Sequence, residues 1–486
     1  VDDGTDAGIR AGVRRDRQGA IGVITLAAPP VNALGQALRA GLGDALDDLL
    51  ADPGLRAILI LAEGPLFSAG ADIREFGGAP AAPLLTDICR RIETAAIPVI
   101  AVLQGAALGG GAEIALAAHY RLGGPAARIG LPEVRLGLIP GAGGTQRLPR
   151  LIGAEAALTL MTEGQSLDAA EAEAIGLIDG LLPDPTPGAA LAFAEGLVAR
   201  DLGPRPTLSL QDFTAEGGIW LEAVAAARAA LAAAPLTAPL RIVDCVEAAL
   251  LLPPEEGLAY ERTAFEDCLA SPESAALRHL FLAERRVPQT LGQRGPGGAV
   301  ALGEAGVMLA ARLDAALAQA AAALMRGGLS PASVDAAAVA AGLAVGPFGS
   351  APPGGSEAIA RCLIAAVMAE GGRLIDEGHA ARAGDVPAAR AADVDVVAVA
   401  GAGWSRLSGG PMHRASREGL PGLLRDMEAW AADDPVWTPP GVLRRAAKYA
   451  GGFDAVATEA PQGAATKAPT GIAPQVSPGS PQQPPS

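Results

Sequence analysis

Two glutamates, Glu113 and Glu133, stand twenty residues apart, each beside a run of small residues. Carboxylates brought together in an apolar surround have their proton affinities pushed apart, so that one serves as base and the other as acid. Taken singly, they also fit plainer roles: Glu113 as a favourable charge on a first helical turn, Glu133 as a solvated loop residue. The neighbouring glycines argue for more. The run Gly105-Ala106-Ala107-Leu108-Gly109-Gly110-Gly111-Ala112-Glu113 places three consecutive glycines ahead of a helix. Glycine there costs helix stability, which suggests that something must sit against the backbone. Amides at a helix amino end are unpaired and carry the positive pole of the dipole, so they can hold an oxygen that becomes negative. A second tight turn, Ala69-Gly70-Ala71 before Asp72, also lets a ligand approach the main chain. A third segment, Leu131-Pro132-Glu133-Val134, leads into Leu138-Ile139-Pro140-Gly141-Ala142-Gly143-Gly144-Thr145-Gln146-Arg147.

Other chemistry is poorly supplied. No residues have metal-ligand spacing, so no metal site is expected. Cys89, Cys245, Cys268 and Cys362 are far apart and read as buried thiols of a reducing compartment. His119, His279 and His413 read as packing or surface residues, and His379 as lying in a turn.

The elements that must position these groups follow from hydrophobic pattern. Residues 21–26, 57–61 and 99–103 are short apolar runs that read as strands, and 38–50 has helical periodicity, which makes the first third α/β. From about 154 to 286 the strand signals disappear and Ala-rich helices run between breakers. Residues 289–298 hold Gly, Gln and Pro with little to bury and read as a linker. Beyond it a loose pattern occurs twice. The first copy carries Asp335 and closes at Gly346-Pro347-Phe348; the second carries Asp393 and closes at Gly409-Gly410-Pro411-Met412. After Phe453 the composition turns to Pro, Gln, Ser, Thr and Ala, which predicts a disordered tail.

Composition limits the partners. Half of the residues are hydrophobic and the net charge is −16, which argues against a general electrostatic grip on nucleic acid or an anionic membrane. Aromatic residues make up 3%, too few for base-stacking platforms, so the core must close on Ala, Leu, Val and Ile. The acidic amino end, residues 1–4, lacks the basic and apolar regions of a secretory signal. Residues 307–325 are apolar, but Arg312, Asp314 and Gln319 fit one face of an amphipathic helix rather than a membrane span. The expectation is a soluble cytoplasmic protein.

Taken together, the segments resemble the crotonase superfamily of enoyl-CoA hydratases and isomerases. The resemblance rests on Pro29-Pro30-Val31-Asn32-Ala33-Leu34, Phe67-Ser68-Ala69-Gly70-Ala71-Asp72, the glycine-rich helix start through Glu113, and Pro132-Glu133 through Arg147, in that order. It implies a ββα spiral core with a helical cover. It also implies that the N–H groups of Ala71 and Gly110 form the oxyanion hole for a CoA thioester. Glu113 then activates water and a protonated Glu133 supplies the proton. Ala69, Gly70, Asp72, Gly109 and Gly141 are implied substrate- and CoA-binding positions. Arg74, Arg135, Lys448 and the arginines of the helices are unranked candidates for the CoA phosphates. The paired glutamates favour hydration, with 3,2-isomerisation as a second reaction.

The resemblance extends to multifunctional fatty-acid oxidation enzymes. Glu261-Arg262-Thr263-Ala264-Phe265 through Ala283-Glu284-Arg285-Arg286 looks like their linker helix region, and the two later repeats look like the helical part of 3-hydroxyacyl-CoA dehydrogenase. The NAD-binding Rossmann domain between them is missing, and no G-x-G-x-x-G fingerprint occurs. NAD and dehydrogenase activity are therefore not expected, and acyl-CoA enters as substrate rather than as a tightly bound cofactor. The expected division is a crotonase core over 1–190, helical cover and linker helix over 191–288, a linker over 289–300, a helical dehydrogenase-like region over 301–453 and a tail over 454–486. Two alternatives stay open: a non-catalytic acyl-CoA-binding or scaffold subunit that docks a thiolase or dehydrogenase, and another crotonase-type thioester reaction. A homo-oligomer, or docking to another β-oxidation enzyme, is compatible with either.

Overall fold

The computed structural model describes residues 11–211, 217–295, 298–351, 353–380 and 390–457. The acidic amino end and the tail beyond Ala457 lie outside the described residues.

The first part is built on a six-stranded sheet and a four-stranded sheet. In chain order the strands are β1 Val13–Gln18, β2 Ile21–Leu26, β3 Ala57–Ala62, β4 Leu66–Ser68, β5 Val99–Leu103, β6 Ala106–Leu108, β7 Tyr120–Gly123, β8 Arg128–Gly130, β9 Ser166–Asp168 and β10 Gly180–Leu181. The larger sheet has the order β1-β2-β3-β5-β7-β10 and is parallel except for β1 against β2. Its central strands are continuous apolar runs because both faces are covered, as parallel sheets require. Alternation divides them cleanly. Ile24, Ile58, Ile60 and Ala101 face one core with Leu42 and Leu46 of the helix Gln36–Leu50. Val23, Leu59, Ile100 and Val102 face a second cluster with Ala190, Ala194 and Leu197 of the helix Pro187–Ala199.

The smaller sheet has the order β4-β6-β8-β9. Strands β9 and β10 correct the expectation that strand signals end before residue 154. At three and two residues, with Ser166, Asp168 and Gly180 among them, they are too short and polar to give an apolar run.

Helices Ala238–Leu251, Pro254–Ala270 and Pro272–Glu284 close over this α/β part. The segment read as a linker is in fact a hairpin, β11 Gly292–Arg294 against β12 Val300–Leu302. It docks because Leu291 is fully buried in a second hydrophobic core that runs to Val456. That core belongs to the helices Glu304–Arg326, Pro331–Ala341, Glu357–Ala380, Ala391–Gly401 and Pro411–Glu418 and their short successors. Glu304–Arg326 is long and apolar enough to cross a membrane by length and composition. It turns Leu309, Leu313, Leu317 and Ala320 inward and leaves Val307 and Met308 exposed. Val456, at the start of the segment expected to be a tail, is buried like Phe453 before it, both in the short helix Gly452–Ala457. His379, expected in a turn, lies within the helix Glu357–Ala380.

The two helical repeats share one device. Asp335, fifth residue of Pro331–Ala341, accepts the N–H groups of Phe348 and Ser350 in the following turn. Asp395, fifth residue of Ala391–Gly401, accepts those of Met412 and His413 in its own. The counterpart of Asp335 is thus Asp395, not Asp393. Asp393 instead caps its helix, accepting the N–H of Arg390 and pairing with the Arg390 guanidinium.

Candidate active site

Three parallel strands assemble the site. β4, β6 and β8 are neighbours running in one direction, so their carboxyl ends lie on the same edge. β4 delivers Ala69-Gly70-Ala71, β6 delivers Gly109 and Gly110, and β8 delivers Leu131-Pro132-Glu133. Ladder spacing of about 4.8 Å between strands brings together segments far apart in sequence.

Gly109 has φ +52°, and a Cβ there would stand 2.9 Å from Glu133 Oε1. Only glycine meets both the backbone and the space requirement. Gly110 opens the fully buried helix Gly110–Ala117 that carries Glu113. A Cβ on Gly110 would lie 3.3 Å from the Ala71 nitrogen, so the two amides are close neighbours. Neither N–H has a hydrogen-bond acceptor among the described residues. Both residues line a cavity of about 1000 Å³, together with Ala69, Gly70, Gly109, Glu113, Glu133 and Gly141. Two free amides facing a cavity can bind an oxygen on which negative charge grows.

The two carboxylates differ in their partners. Glu113 Oε1 accepts the N–H groups of Ala142 at 2.6 Å and Gly144 at 3.0 Å. Burial raises its proton affinity above the usual carboxylate range, and those amides oppose the shift. Glu133 Oε2 is buried and has no hydrogen-bond partner. Burial, and then the charge of Glu113, hold Glu133 well above the usual range. One carboxyl is therefore held by donors that favour its anion, while the other sits where the neutral acid is favoured.

A third carboxylate joins them that sequence reasoning did not assign to the site. Glu261, on the helix Pro254–Ala270, accepts the N–H of Gly143 at 2.6 Å and the N–H and hydroxyl of Thr145 at 2.9 and 2.5 Å. It is 1% exposed, and burial and the Glu113 charge push it up to about 8. The same turn is fixed through its carbonyls by Arg147, which donates to Ala142 O at 2.8 Å and pairs with buried Glu93 at 2.8 Å. The only sequence signal for Glu261 was its place in the Glu261-Arg262-Thr263-Ala264-Phe265 motif.

Asp72 behaves differently from the other proposed binding positions. It is not among the residues lining the cavity. Its side chain accepts the N–H of Arg74 and pairs with the Arg74 guanidinium at 2.6 Å, which holds the carboxyl below the usual range. Asp72 thus caps the turn Ile73–Glu75. Arg74 and Arg135 line the cavity, whereas Lys448 does not. Phe265, Leu277 and Phe281 supply an apolar wall, and Arg294 and Arg406 reach it from the second part of the chain.

His119 fits its expected packing role, accepting the Val99 N–H and contacting Glu93 O in the core. His279 and His413 do more than pack. His279 bonds buried Asp395 at 2.9 Å and stacks on His413, tying the helix Pro272–Glu284 to the second part. Burial and the proximity of His279 push His413 down to about 3. Among the described residues no group of three or more His, Cys, Asp or Glu is placed to hold a metal ion.

The chain has relatives among known proteins. Residues 16–198 match the family model described as enoyl-CoA hydratase/isomerase. The chain is 41% identical over 265 residues to a peroxisomal bifunctional enzyme of Danio rerio, covering 54% of this chain and 37% of that one. It is 34% identical over 294 residues to a glyoxysomal fatty acid beta-oxidation multifunctional protein of Cucumis sativus, covering 56% and 39%. A probable enoyl-CoA hydratase of Bacillus subtilis is 44% identical over 165 residues, covering 32% and 64%. The match thus spans less than half the length of the bifunctional and multifunctional relatives. Their names also correct the cytoplasmic expectation, since they point to peroxisomes and glyoxysomes rather than cytoplasm. That expectation rested on the absence of a secretory signal, and a secretory signal is not the only address a chain can carry. The α/β part thus holds a domain, residues 16–198, that matches the enoyl-CoA hydratase/isomerase family.

Proposed function

We propose that this chain adds water across the 2,3-double bond of 2-enoyl-CoA thioesters in fatty-acid β-oxidation. The observation that carries the reading is the meeting of Glu113, Glu133 and the free amides of Ala71 and Gly110 around one cavity. Ala71 and Gly110 donate to the thioester oxygen and stabilise the enolate-like state, each donor contributing about 3 kcal/mol. The Glu113 carboxylate takes a proton from water as the water oxygen bonds to C3. The electron pair of the double bond moves towards the thioester oxygen, then returns to form a C–H bond at C2 with the proton of Glu133. Proton exchange restores both carboxyl groups. The reaction as written consumes neither NAD nor a metal ion.

Glu133 can also carry a proton between C2 and C4, so 3,2-isomerisation is the second activity of the same site. The helical second part, with its resemblance to a dehydrogenase lacking its NAD domain, serves here as a wall of the cavity through Arg294 and Arg406. The test is loss of conjugated-thioester absorbance when the purified chain meets crotonyl-CoA, beside the double variant Glu113→Gln, Glu133→Gln. Turnover by the unaltered chain alone supports hydration. Equal inactivity of both on short and long enoyl-CoA returns the scaffold reading or another thioester reaction.

A further inference from the structure

The turn Ala142-Gly143-Gly144-Thr145 is gripped on alternate amides by two carboxylates. Ala142 and Gly144 donate to Glu113, while Gly143 and Thr145 donate to Glu261. Such alternation fixes the rotation of the turn, because turning it to favour one acceptor withdraws the donors from the other. Gly143, at φ +100°, makes the reversal that allows it. Glu261 does not line the cavity, yet it is buried and accepts three hydrogen bonds. Its helix follows the α/β core, so the placement of Glu113 depends on a segment more than a hundred residues downstream.

We infer that Glu261 is a positioning residue, which holds the turn in the register that presents the Ala142 and Gly144 amides to Glu113. The inference rests on the hydratase reading for its effect on rate, though not for its effect on the turn. Protonated or ionised, the Glu261 carboxyl has an accepting oxygen for each of the Gly143 and Thr145 N–H groups, whereas a carboxamide at position 261 offers one where two are needed and sets its NH2 against a backbone donor. The turn then shifts, and Glu113 loses the partners that orient it.

The experiment compares the full chain with Glu261→Gln, Glu113→Gln and the double variant in crotonyl-CoA hydration. Hydrogen–deuterium exchange of the peptide over 139–147 is read on the same samples. Glu261→Gln should lower kcat by about 10- to 100-fold, as expected for a displaced catalytic group, and change KM by no more than about threefold. In the Glu113→Gln background the same change should cost less than about twofold, because both act through one group. Exchange over 139–147 should rise in Glu261→Gln. Thr145→Val, which removes only the hydroxyl bond, should give the same signs at smaller size and serves where Glu261→Gln does not fold. Equal losses of kcat with and without Glu113, or unchanged exchange over 139–147, overturn the inference. Should the unaltered chain fail to hydrate enoyl-CoA, the functional reading falls, and the exchange result alone decides the role of Glu261.

Discussion

Gly109 and Glu133 are in contact across the edge of the smaller sheet: the position of a Cβ on Gly109 is 2.9 Å from Glu133 Oε1. A methyl group at 109 must therefore displace the carboxyl proposed to protonate C2, and must also adopt φ +52°. Gly109→Ala is expected to lower kcat by about 10-fold or more and to cost about 1–3 kcal/mol of stability. Steady-state kinetics with urea denaturation checks this, and an unchanged kcat would remove Glu133 from the reaction.

The proton affinities set a pH profile. The proposed hydration requires Glu113 ionised and Glu133 protonated, and burial raises both while the charge of Glu113 raises Glu133 further. The rate should rise with pH as Glu113 ionises and fall again as Glu133 loses its proton, the two limbs belonging to the pair. A kcat/KM profile without a basic limb in the unaltered chain would contradict the acid role of Glu133.

Stability should follow the same carboxyls. Glu261 has an ordinary value of 4.5 and is pushed up to about 8 in the fold. Between these values the folded chain binds the proton and the unfolded chain does not. The contribution is complete below 4.5 and is lost as pH rises through about 8. One proton gives a slope of at most about 1.4 kcal/mol per pH unit. Denaturation midpoints at pH values across this window should fall less steeply in Glu261→Gln than in the unaltered chain; parallel falls would contradict the raised value.

Arg406 and Glu284 join the two parts of the chain at the cavity wall, 2.5 Å apart. Glu284 is 5% exposed and Arg406 nearly half exposed. Truncating the exposed partner leaves a buried carboxylate short of one donor group, so Arg406→Ala should cost about 1–2 kcal/mol. Because both residues face the cavity, KM for enoyl-CoA should rise more than kcat falls. Kinetics and denaturation on one preparation check both, and an effect on neither would show the two parts to be independent.

How much of this was legible in the sequence depended on how local each signal was. The runs 21–26, 57–61 and 99–103 announced β2, β3 and β5 because strands buried on both faces must be continuously apolar. β9 and β10 gave no such run, since their pairing is decided by neighbours rather than by their own residues. The glycines marked where backbone and ligand could approach, but not that β4, β6 and β8 are adjacent. Asp393 and Asp395 differ in sequence only by position, and the turn each faces separates a helix cap from the repeat device. Glu261 was invisible as a site residue because its donors lie 116 and 118 residues away.

The shared edge of β4, β6 and β8 also governs how such a protein can change. An insertion within any of the three strands would slide one group past its neighbours and reverse the direction of the side chains that follow. Residues 77–84 hang at the cavity rim between the turn Ile73–Glu75 and the helix Leu85–Glu93, outside both sheets, and Gly77, Ala79, Pro80 and Leu84 face the cavity. Lengthening or shortening that loop leaves the strand register untouched, so the shape of the cavity can be retuned there while the groups at the strand ends stay in place.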